Sequence, residues 1–330
     1  MNSILPNPNG IRRIGVLTSG GDAPGMNAAV RAVARTCEKN NIECIGIYRG
    51  YSGLIRSDVV PLKARTVNNM TSKGGTMLYT ARCAAFKTEE GLRQGVDACK
   101  YLGIGGLITI GGDGTFRGAE KLANAGINTV AIPATIDNDI GCSHYSIGFD
   151  TAANTAIEVI DKLSDTMQSH ERASVVEVMG HGAGHLAVYV GISVGATAIV
   201  LPEGGFDFER DILERIREGK FNGKHHFIII VSEGVTDTMA LAERIQRETG
   251  VETRTTILGH IQRGGSPSAR DRVMASRMGH FAVEALLKGE TNQVVCYRDS
   301  RLLLTPINEA LQMKKPLDEY MRRVSYELPI

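Results

Sequence analysis

Short runs of apolar residues alternate along the chain with segments long enough to form helices. The run at 227–231 is apolar throughout, which is typical of a strand buried on both faces of a parallel sheet. Glycines concentrate where a predicted strand leads into a predicted helix. The pattern therefore predicts the α/β class, with strands at 14–17, 43–48, 106–110, 129–132, 174–178, 198–201 and 227–231.

Helical periodicity follows several of these strands, for example at 27–39 and 151–163. In the second segment one helix face consists of Ala152, Thr155, Ala156, Val159, Ile160 and Leu163. A chain of 330 residues is long enough to divide into two domains. No repeat or linker marks the boundary, so the pattern alone does not locate it.

Composition narrows the classes of protein that the chain can represent. No apolar stretch approaches the roughly 18 residues of a membrane span, and the N-terminal residues lack a secretory pattern, so we expect a cytoplasmic protein. Lys plus Arg (37) nearly equals Asp plus Glu (36), which argues against a nucleic-acid or membrane partner. The six cysteines show no C-x-x-C spacing, and we expect reduced, mostly buried thiols.

The first predicted strand is followed by the string TSGGDAPGMN at 18–27, which opens a helix. Glycines at such a turn let backbone N–H groups approach an oxyanion, and the start of the helix favours phosphate. A Gly-Gly pair alone is equally typical of a tight turn without a ligand. The ten-residue string is far more specific.

A second glycine turn, GGDGT at 111–115, follows another predicted strand. It combines a phosphate cradle with the carboxylate of Asp113, and Mg²⁺ bound to substrate phosphates needs one or two carboxylates. The alternative is a structural turn with a solvated aspartate. The same short string also occurs in other kinase families, so it is not specific by itself.

A third motif, PATIDND at 133–139, ends a predicted strand. If the segment is extended, its spacing of two puts Asp137 and Asp139 on the same side. One carboxylate would then accept a hydroxyl proton while the other assists a metal. An isolated pair of this kind is more often a helix cap or a turn.

Together with SVVEVMG at 174–180 and LGHIQRGG at 258–265, these motifs resemble the bacterial, ATP-dependent 6-phosphofructokinase family, in the family's order from about residue 12 to 315. The resemblance implies a glycolytic kinase that transfers the γ-phosphoryl group of ATP to the 1-hydroxyl of fructose 6-phosphate, with Mg²⁺. It also implies two three-layer α/β domains with mainly parallel sheets. The nucleotide domain would contain 1–148 and 263–315, the sugar-phosphate domain 149–262 and 316–330, with the reaction in the cleft between them.

The resemblance also assigns residues, position by position. The ATP contacts would be Gly21, Arg82, Cys83, Gly112, Asp113, Gly114 and Thr115, and the metal would be handled by Asp113 and Asp139. Asp137 would be the general base, with Thr135 and Arg82 as further catalytic residues. The sugar-phosphate site would comprise Thr135, Asp137, Arg172, Met179, Gly180, His181, Glu233, Arg254, His260 and Arg263. Arg172 and Arg254 would reach in from an adjacent subunit of a homotetramer.

The family resemblance implies that two positions bear on the choice of phosphoryl donor. Pyrophosphate-dependent members of the family carry Asp where this chain has Gly114 and Lys where it has Ala134. Gly114 leaves room for a nucleotide phosphate, and Ala134 supplies no cation for pyrophosphate. Both residues favour ATP, although ATP-dependent members commonly carry Gly at position 134.

The chain departs from the family at two places. His181 stands where the family usually has Arg after Met-Gly, which replaces a fixed cation by an imidazole. At the effector position, which binds ADP or phosphoenolpyruvate in regulated bacterial members, only Arg31, Arg35, Lys224 and His226 match, so we expect weak or absent activation by ADP.

Other functions compatible with the same fold are a pyrophosphate-dependent kinase, a kinase acting on sedoheptulose 7-phosphate, and a catalytically weak regulatory subunit or sugar-phosphate sensor. A sensor has little reason to retain Asp113, Asp137 and Asp139 together. Lipid and NAD kinases share only the Gly-Gly-Asp-Gly string.

Overall fold

The computed structural model describes residues 5–328 of the chain. Within these residues the strands are β1 (Arg13–Thr18), β2 (Glu43–Ile47), β3 (Val59–Pro61), β4 (Gly106–Gly111), β5 (Thr129–Pro133), β6 (Ala173–Val178), β7 (Ala198–Val200), β8 (Phe227–Ser232), β9 (Thr253–Ile257), β10 (Gln293–Arg298) and β11 (Arg301–Pro306).

The α-helices are α1 (Met26–Lys39), α2 (Gly50–Ile55), α3 (Glu89–Tyr101), α4 (Asp113–Asn124), α5 (Phe149–His170), α6 (His185–Ser193), α7 (Glu214–Phe221), α8 (Thr238–Thr249), α9 (Ala269–Lys288), α10 (Ile307–Ala310) and α11 (Glu319–Glu327). Three 3₁₀ segments (Ala64–Val67, Ala85–Lys87 and Gly259–Arg263) and one π-helical turn (Glu209–Leu213) complete the described regular structure.

The chain folds as two compact units. Unit 1 comprises the chain as far as Thr135, then Ile140–Asp150 and Arg263–Lys315. Unit 2 comprises Ile136–Asp139, Thr151–Gln262 and the chain from Pro316 onward. The assignment of a nucleotide domain and a sugar-phosphate domain stays a prediction.

Unit 1 is built on a seven-stranded sheet in the order β11-β10-β5-β4-β1-β2-β3. The strands are parallel except at the two edges, where β3 and β11 run antiparallel to their neighbours. The strand order reverses at β1, which pairs with β2 on one side and β4 on the other. In open α/β sheets, the carboxyl ends of strands at such a switch point form a crevice suited to a ligand.

Apolar residues hold the helices of unit 1 on this sheet. Leu17, Ile47, Leu107 and Leu122 are fully buried in one cluster, and burying such a side chain contributes about 1.5–3 kcal/mol. On α9, a Cβ at Gly279 would lie 2.7 Å from the carbonyl oxygen of Ala29. The close approach of α1 and α9 therefore requires glycine at this position.

Unit 2 has a four-stranded parallel sheet in the order β7-β8-β6-β9. The inner strand β8 is buried at every position, as the apolar run at 227–231 predicts. Phe227, Ile229 and Val231 pack in the main core of this unit. Strand β9 forms one edge of the sheet and is correspondingly more polar.

All seven predicted strands exist, and the helices predicted at 27–39 and 151–163 correspond to α1 and α5. Five of the six cysteines are buried and Cys83 is partly exposed, as predicted. Among residues 5–328, no helix combines the length and the hydropathy of a membrane span.

Candidate active site

The first glycine turn connects β1 to α1 in unit 1. Gly20 and Gly25 have φ values of 86° and 106°, in the left-handed region that favours glycine. The backbone N–H of Ser19 donates to the carbonyl oxygen of Ile110 over 3.0 Å. The turn is thereby tied to the end of β4.

The second glycine turn, at the end of β4, packs directly against the first. A Cβ at Gly111 would lie 2.3 Å from the carbonyl oxygen of Ser19. The hydroxyl of Thr115 donates to that same oxygen over 3.1 Å. Tyr51, whose pKa is raised by burial, donates from its hydroxyl to the carbonyl oxygen of Thr115 over 2.5 Å. The two turns are therefore locked together at the switch point of the sheet.

The exposed part of this turn is open. Helix α4 begins at Asp113, and a Cβ at Gly114 would meet no atom within 4 Å. The backbone at Gly114 is not in the left-handed region, so neither packing nor conformation within the chain requires glycine there. Its missing side chain keeps space free beside the backbone N–H groups of a helix start, where an anion is stabilised.

Thr135 lies next to the second turn, at the end of β5. The backbone N–H of Ala134 donates to the carbonyl oxygen of Gly111 over 3.0 Å. The hydroxyl of Ser146 donates to the carbonyl oxygen of Thr135 over 2.7 Å. A Cβ at Gly112 would stand 3.9 Å from that of Thr135. The structure thus brings the second predicted motif into contact with residues 133–135, the first part of the third motif.

Arg82 and Cys83 follow a segment that packs on the first turn. The hydroxyl of Thr80 donates to the carbonyl oxygen of Gly20 over 2.6 Å. Arg82 is exposed, and Cys83 packs against the core of unit 1. Of these two predicted ATP contacts, only Arg82 presents an exposed polar side chain.

Arg263 also belongs to unit 1. Its Nη1 donates to the carbonyl oxygen of Asp22 over 3.2 Å. A Cβ at Gly21 would lie 2.3 Å from the same nitrogen. This predicted sugar-phosphate residue therefore lies against a predicted ATP-binding residue, on the first glycine turn.

In unit 2, predicted site residues gather at the carboxyl edge of the sheet. One carboxylate oxygen of Glu233, just after β8, accepts from the backbone N–H groups of Gly180 (3.1 Å) and His181 (2.8 Å). The side-chain oxygen of Gln262 accepts from the N–H of Met179 over 3.4 Å. The segments that follow β6, β8 and β9 are thus connected, and His260 lies exposed on the last of them.

Asp137, Asp139 and His181 form a cluster within unit 2. Each offers one ligand atom, and these atoms all lie within 4.8 Å of one another. Nδ1 of His181 is 3.6 Å from Oδ2 of Asp139. Asp137 is buried, Asp139 is partly exposed and the side chain of His181 is 82% exposed. The group opens from a buried carboxylate to an exposed imidazole.

Arg172 and Arg254 lie at the other end of the β6 strand. Both donate to the carboxylate of Glu252, Arg172 from Nε over 2.8 Å. The hydrogen bond from Arg172 is the main cause that lowers the pKa of Glu252. Arg172 precedes β6 and Met179 follows it, so a strand roughly 20 Å long separates them. Within one chain, Arg172 and Arg254 therefore lie away from Met179, Gly180, His181 and Glu233 at the carboxyl edge of the sheet.

Comparison with known proteins identifies the family. The sequence pattern described as "Phosphofructokinase" matches residues 13–286, which is more than three quarters of the chain.

The chain belongs to the phosphofructokinase family.

Curated relatives cover the chain almost completely. The ATP-dependent 6-phosphofructokinases of Bacillus pumilus (strain SAFR-032) and Bacillus velezensis are 52% and 51% identical to it, in each case over 97% of this chain and all of the relative. The solved phosphofructokinase of Saccharomyces cerevisiae has 32% identity and a TM-score of 0.86 over 97% of this chain. This chain spans about half (48%) of that yeast chain. The predicted family, α/β fold and phosphotransferase class are confirmed.

The effector residues predicted for this phosphofructokinase lie in separate units. Arg31 and Arg35 lie on α1, where Nη1 of Arg35 donates to the side chain of Asn68 over 3.3 Å. Lys224 and His226 precede β8. Burial lowers the pKa of Lys224 and, with the charge of Lys224, that of His226.

Sequence reasoning gave no role to some residues that organise the site. The side-chain amide of Asn27 donates to the carbonyl oxygens of Lys73 and Gly74, both at 3.0 Å, and the motif at 18–27 already included it. Asp271 is fully buried and accepts from the hydroxyl of Tyr145 over 2.5 Å. Asp271 lies three residues after Ser268, the N-cap of α9. This spacing, typical of a helix start, is the sequence signal that could have drawn attention to it.

Proposed function

We propose that this phosphofructokinase transfers the γ-phosphoryl group of ATP to the 1-hydroxyl of fructose 6-phosphate, giving fructose 1,6-bisphosphate and ADP. The curated relatives at about half identity carry the name of this activity. The observation that carries the proposal is the pair of glycine turns locked at the switch point of unit 1, with open space at Gly114.

On the donor side, the backbone N–H groups at the start of α4 and the turn at Gly21 bind the nucleotide phosphates. Arg82, exposed and cationic, offers charge to the transferred phosphoryl group. Asp113 and Asp139 are hard oxygen donors of the kind that Mg²⁺ takes beside substrate phosphates, so the residues fit that ion. When bound, Mg²⁺ neutralises charge on the phosphates.

On the acceptor side, Asp137 takes the proton of the 1-hydroxyl as it attacks phosphorus. The burial of Asp137 keeps bulk water away from this carboxylate. Thr135 adds a hydroxyl near the transferring group. The sugar phosphate is held by Met179, Gly180, His181, Glu233, His260 and Arg263.

Arg172 and Arg254 complete the sugar-phosphate site from a neighbouring subunit of a homotetramer. The shared carboxylate of Glu252 holds both guanidinium groups side by side. Arginine pairs suit phosphate because each presents a planar fork of donors to the oxygens. The cytoplasmic location and the two-domain division at 148, 262 and 315 belong to the same proposal.

The test is one coupled assay that crosses two donors with several acceptors. ATP and pyrophosphate are each offered with fructose 6-phosphate and with sedoheptulose 7-phosphate. We expect the highest kcat/KM with ATP and fructose 6-phosphate. A preference for pyrophosphate would contradict the interpretation of Gly114 and Ala134. A preference for sedoheptulose 7-phosphate would show that this compound, and not fructose 6-phosphate, is the acceptor. No turnover with any pair would favour a regulatory subunit.

ADP activates weakly or not at all in this proposal, because only four of the family's effector positions are matched by Arg31, Arg35, Lys224 and His226. The half-saturation for fructose 6-phosphate is measured with and without ADP. A several-fold decrease on adding ADP would show that Arg31, Arg35, Lys224 and His226 suffice for activation.

A further inference from the structure

The cluster of Asp137, Asp139 and His181 differs from the pair proposed for Mg²⁺, Asp113 and Asp139, with which it shares only Asp139. Mg²⁺ takes oxygen ligands and keeps several waters. An imidazole nitrogen with carboxylate oxygens is instead typical of Zn²⁺ and related transition metals. Catalytic zinc sites commonly use three protein ligands and leave the fourth position to water or substrate. The three side chains supply one nitrogen and two carboxylate oxygens.

The spacing of the ligand atoms suits such an ion. With zinc bonds of about 2.0–2.2 Å in tetrahedral geometry, ligand atoms lie roughly 3.4 Å apart. Nδ1 of His181 and Oδ2 of Asp139 are already 3.6 Å apart, and all three ligand atoms lie within 4.8 Å. The side chain of His181 is 82% exposed, so packing does not hold its ring in one orientation.

The backbone at His181 is held in place, which fixes the point from which its side chain projects. Its φ is 52°, and its N–H donates to Glu233 over 2.8 Å. Gly180, the residue before it, donates to the same oxygen. Two consecutive N–H groups therefore anchor the segment, while the ring remains available for a ligand.

We propose that Asp137, Asp139 and His181 bind a divalent transition metal of the Zn²⁺ or Co²⁺ type, and that this ion inhibits the kinase by occupying Asp137. The inhibition rests on the proposed function, in which Asp137 accepts the proton of the acceptor hydroxyl. The binding does not, because it requires only the three ligands of unit 2.

Binding is measured first, by calorimetry with Zn²⁺ and by the visible absorption of Co²⁺, using the full chain without nucleotide or sugar phosphate. The variants are His181→Asn and Asp139→Asn. Asparagine tolerates the left-handed backbone at position 181 better than most residues, so the first variant keeps the fold. The matched control is His170→Ala, which removes an exposed histidine at the end of α5 in the same unit.

We expect one Zn²⁺ per chain in the unsubstituted protein and in His170→Ala, retained in excess Mg²⁺. Each ligand variant weakens it about tenfold or more, and His181→Asn changes the Co²⁺ spectrum because a nitrogen ligand is lost. Equal affinity in His181→Asn, displacement of Zn²⁺ by Mg²⁺, or no binding overturns the proposal.

Inhibition is measured second, at saturating Mg²⁺ and ATP. We expect Zn²⁺ to inhibit competitively with fructose 6-phosphate, and the inhibition constant to rise about tenfold or more in His181→Asn. Binding without competition would overturn the inhibitory part alone. A protein that binds Zn²⁺ as expected but shows no kinase activity would instead contradict the proposed function.

Discussion

Nη1 of Arg263 donates to the carbonyl oxygen of Asp22 over 3.2 Å, so the guanidinium group lies on the first glycine turn. A Cβ at Gly21 would stand 2.3 Å from the same nitrogen. The backbone at Gly21 does not need glycine for its conformation. The arginine side chain, and not the turn itself, excludes a larger residue there.

The substitution Gly21→Ala should displace Arg263 while leaving the fold intact. We expect kcat/KM to fall roughly 10²-fold, as is typical when a site group moves by about an ångström. The melting temperature should change little, since Gly21 is exposed. The double variant with Arg263→Ala should be no worse than Arg263→Ala alone. Losses that add independently would show that the contact is not the cause.

Gly111 and Gly114 form a matched pair within one turn. Gly111→Ala should destabilise unit 1, because its Cβ would lie 2.3 Å from Ser19 O and 2.4 Å from the Thr115 hydroxyl. Gly114→Ala should leave stability equal or raise it by up to about 1 kcal/mol, as alanine favours helix. The same methyl group should raise the KM for ATP. Thermal unfolding and steady-state kinetics measure the two effects, and an unchanged KM in Gly114→Ala would place the nucleotide elsewhere.

Removing the proposed base should affect turnover more than binding. We expect Asp137→Asn to lower kcat by roughly 10²–10⁴-fold, the usual range for a general base, with a smaller change in KM. The control is Asp161→Asn, an exposed aspartate on α5 of the same unit. Near-normal turnover of a correctly folded Asp137→Asn protein would remove the residue from the mechanism.

Glu252→Gln tests the arrangement of Arg172 and Arg254. Loss of the shared carboxylate should raise the KM for fructose 6-phosphate by up to about fivefold, the range of an exposed ion pair. The pKa of Glu252 is lowered in the folded chain, so its charge is fully present above about pH 4.3 and disappears only as the pH falls through the lowered value.

The effect of Glu252→Gln should therefore be constant between about pH 6 and 8. Glu248→Gln, at an exposed pair with Arg247, serves as the control. A KM difference that vanishes within this pH range would mean that another group governs the arginines.

Sequence reasoning succeeded where the signal was local. The two glycine turns follow β1 and β4 as predicted, because each motif carries its own strand, turn and helix start. It missed β9, whose Thr and Arg residues reflect an exposed sheet edge. It also missed the β10-β11 hairpin, in which Asp299 and Ser300 adopt positive φ without glycine.

The contacts that organise the site were harder to predict, since they join residues far apart in sequence. Arg263 contacts Asp22, and His181 lies beside Asp139. No regular spacing in the sequence predicts either contact. The family resemblance assigned roles to Asp139, His181 and Arg263. Their partners became visible only in three dimensions.

The pairing of β1 with both β2 and β4 has a consequence for the order in which unit 1 folds. Ile14 pairs with Gly106, roughly 90 residues later, whereas Arg13 pairs with Glu43 much nearer in sequence. Closing the longer loop costs more entropy and slows folding. During refolding, the two glycine turns should therefore come together after the local β1-β2 pairing has formed. If these turns bind nucleotide as proposed, the recovery of nucleotide affinity would measure the completion of unit 1.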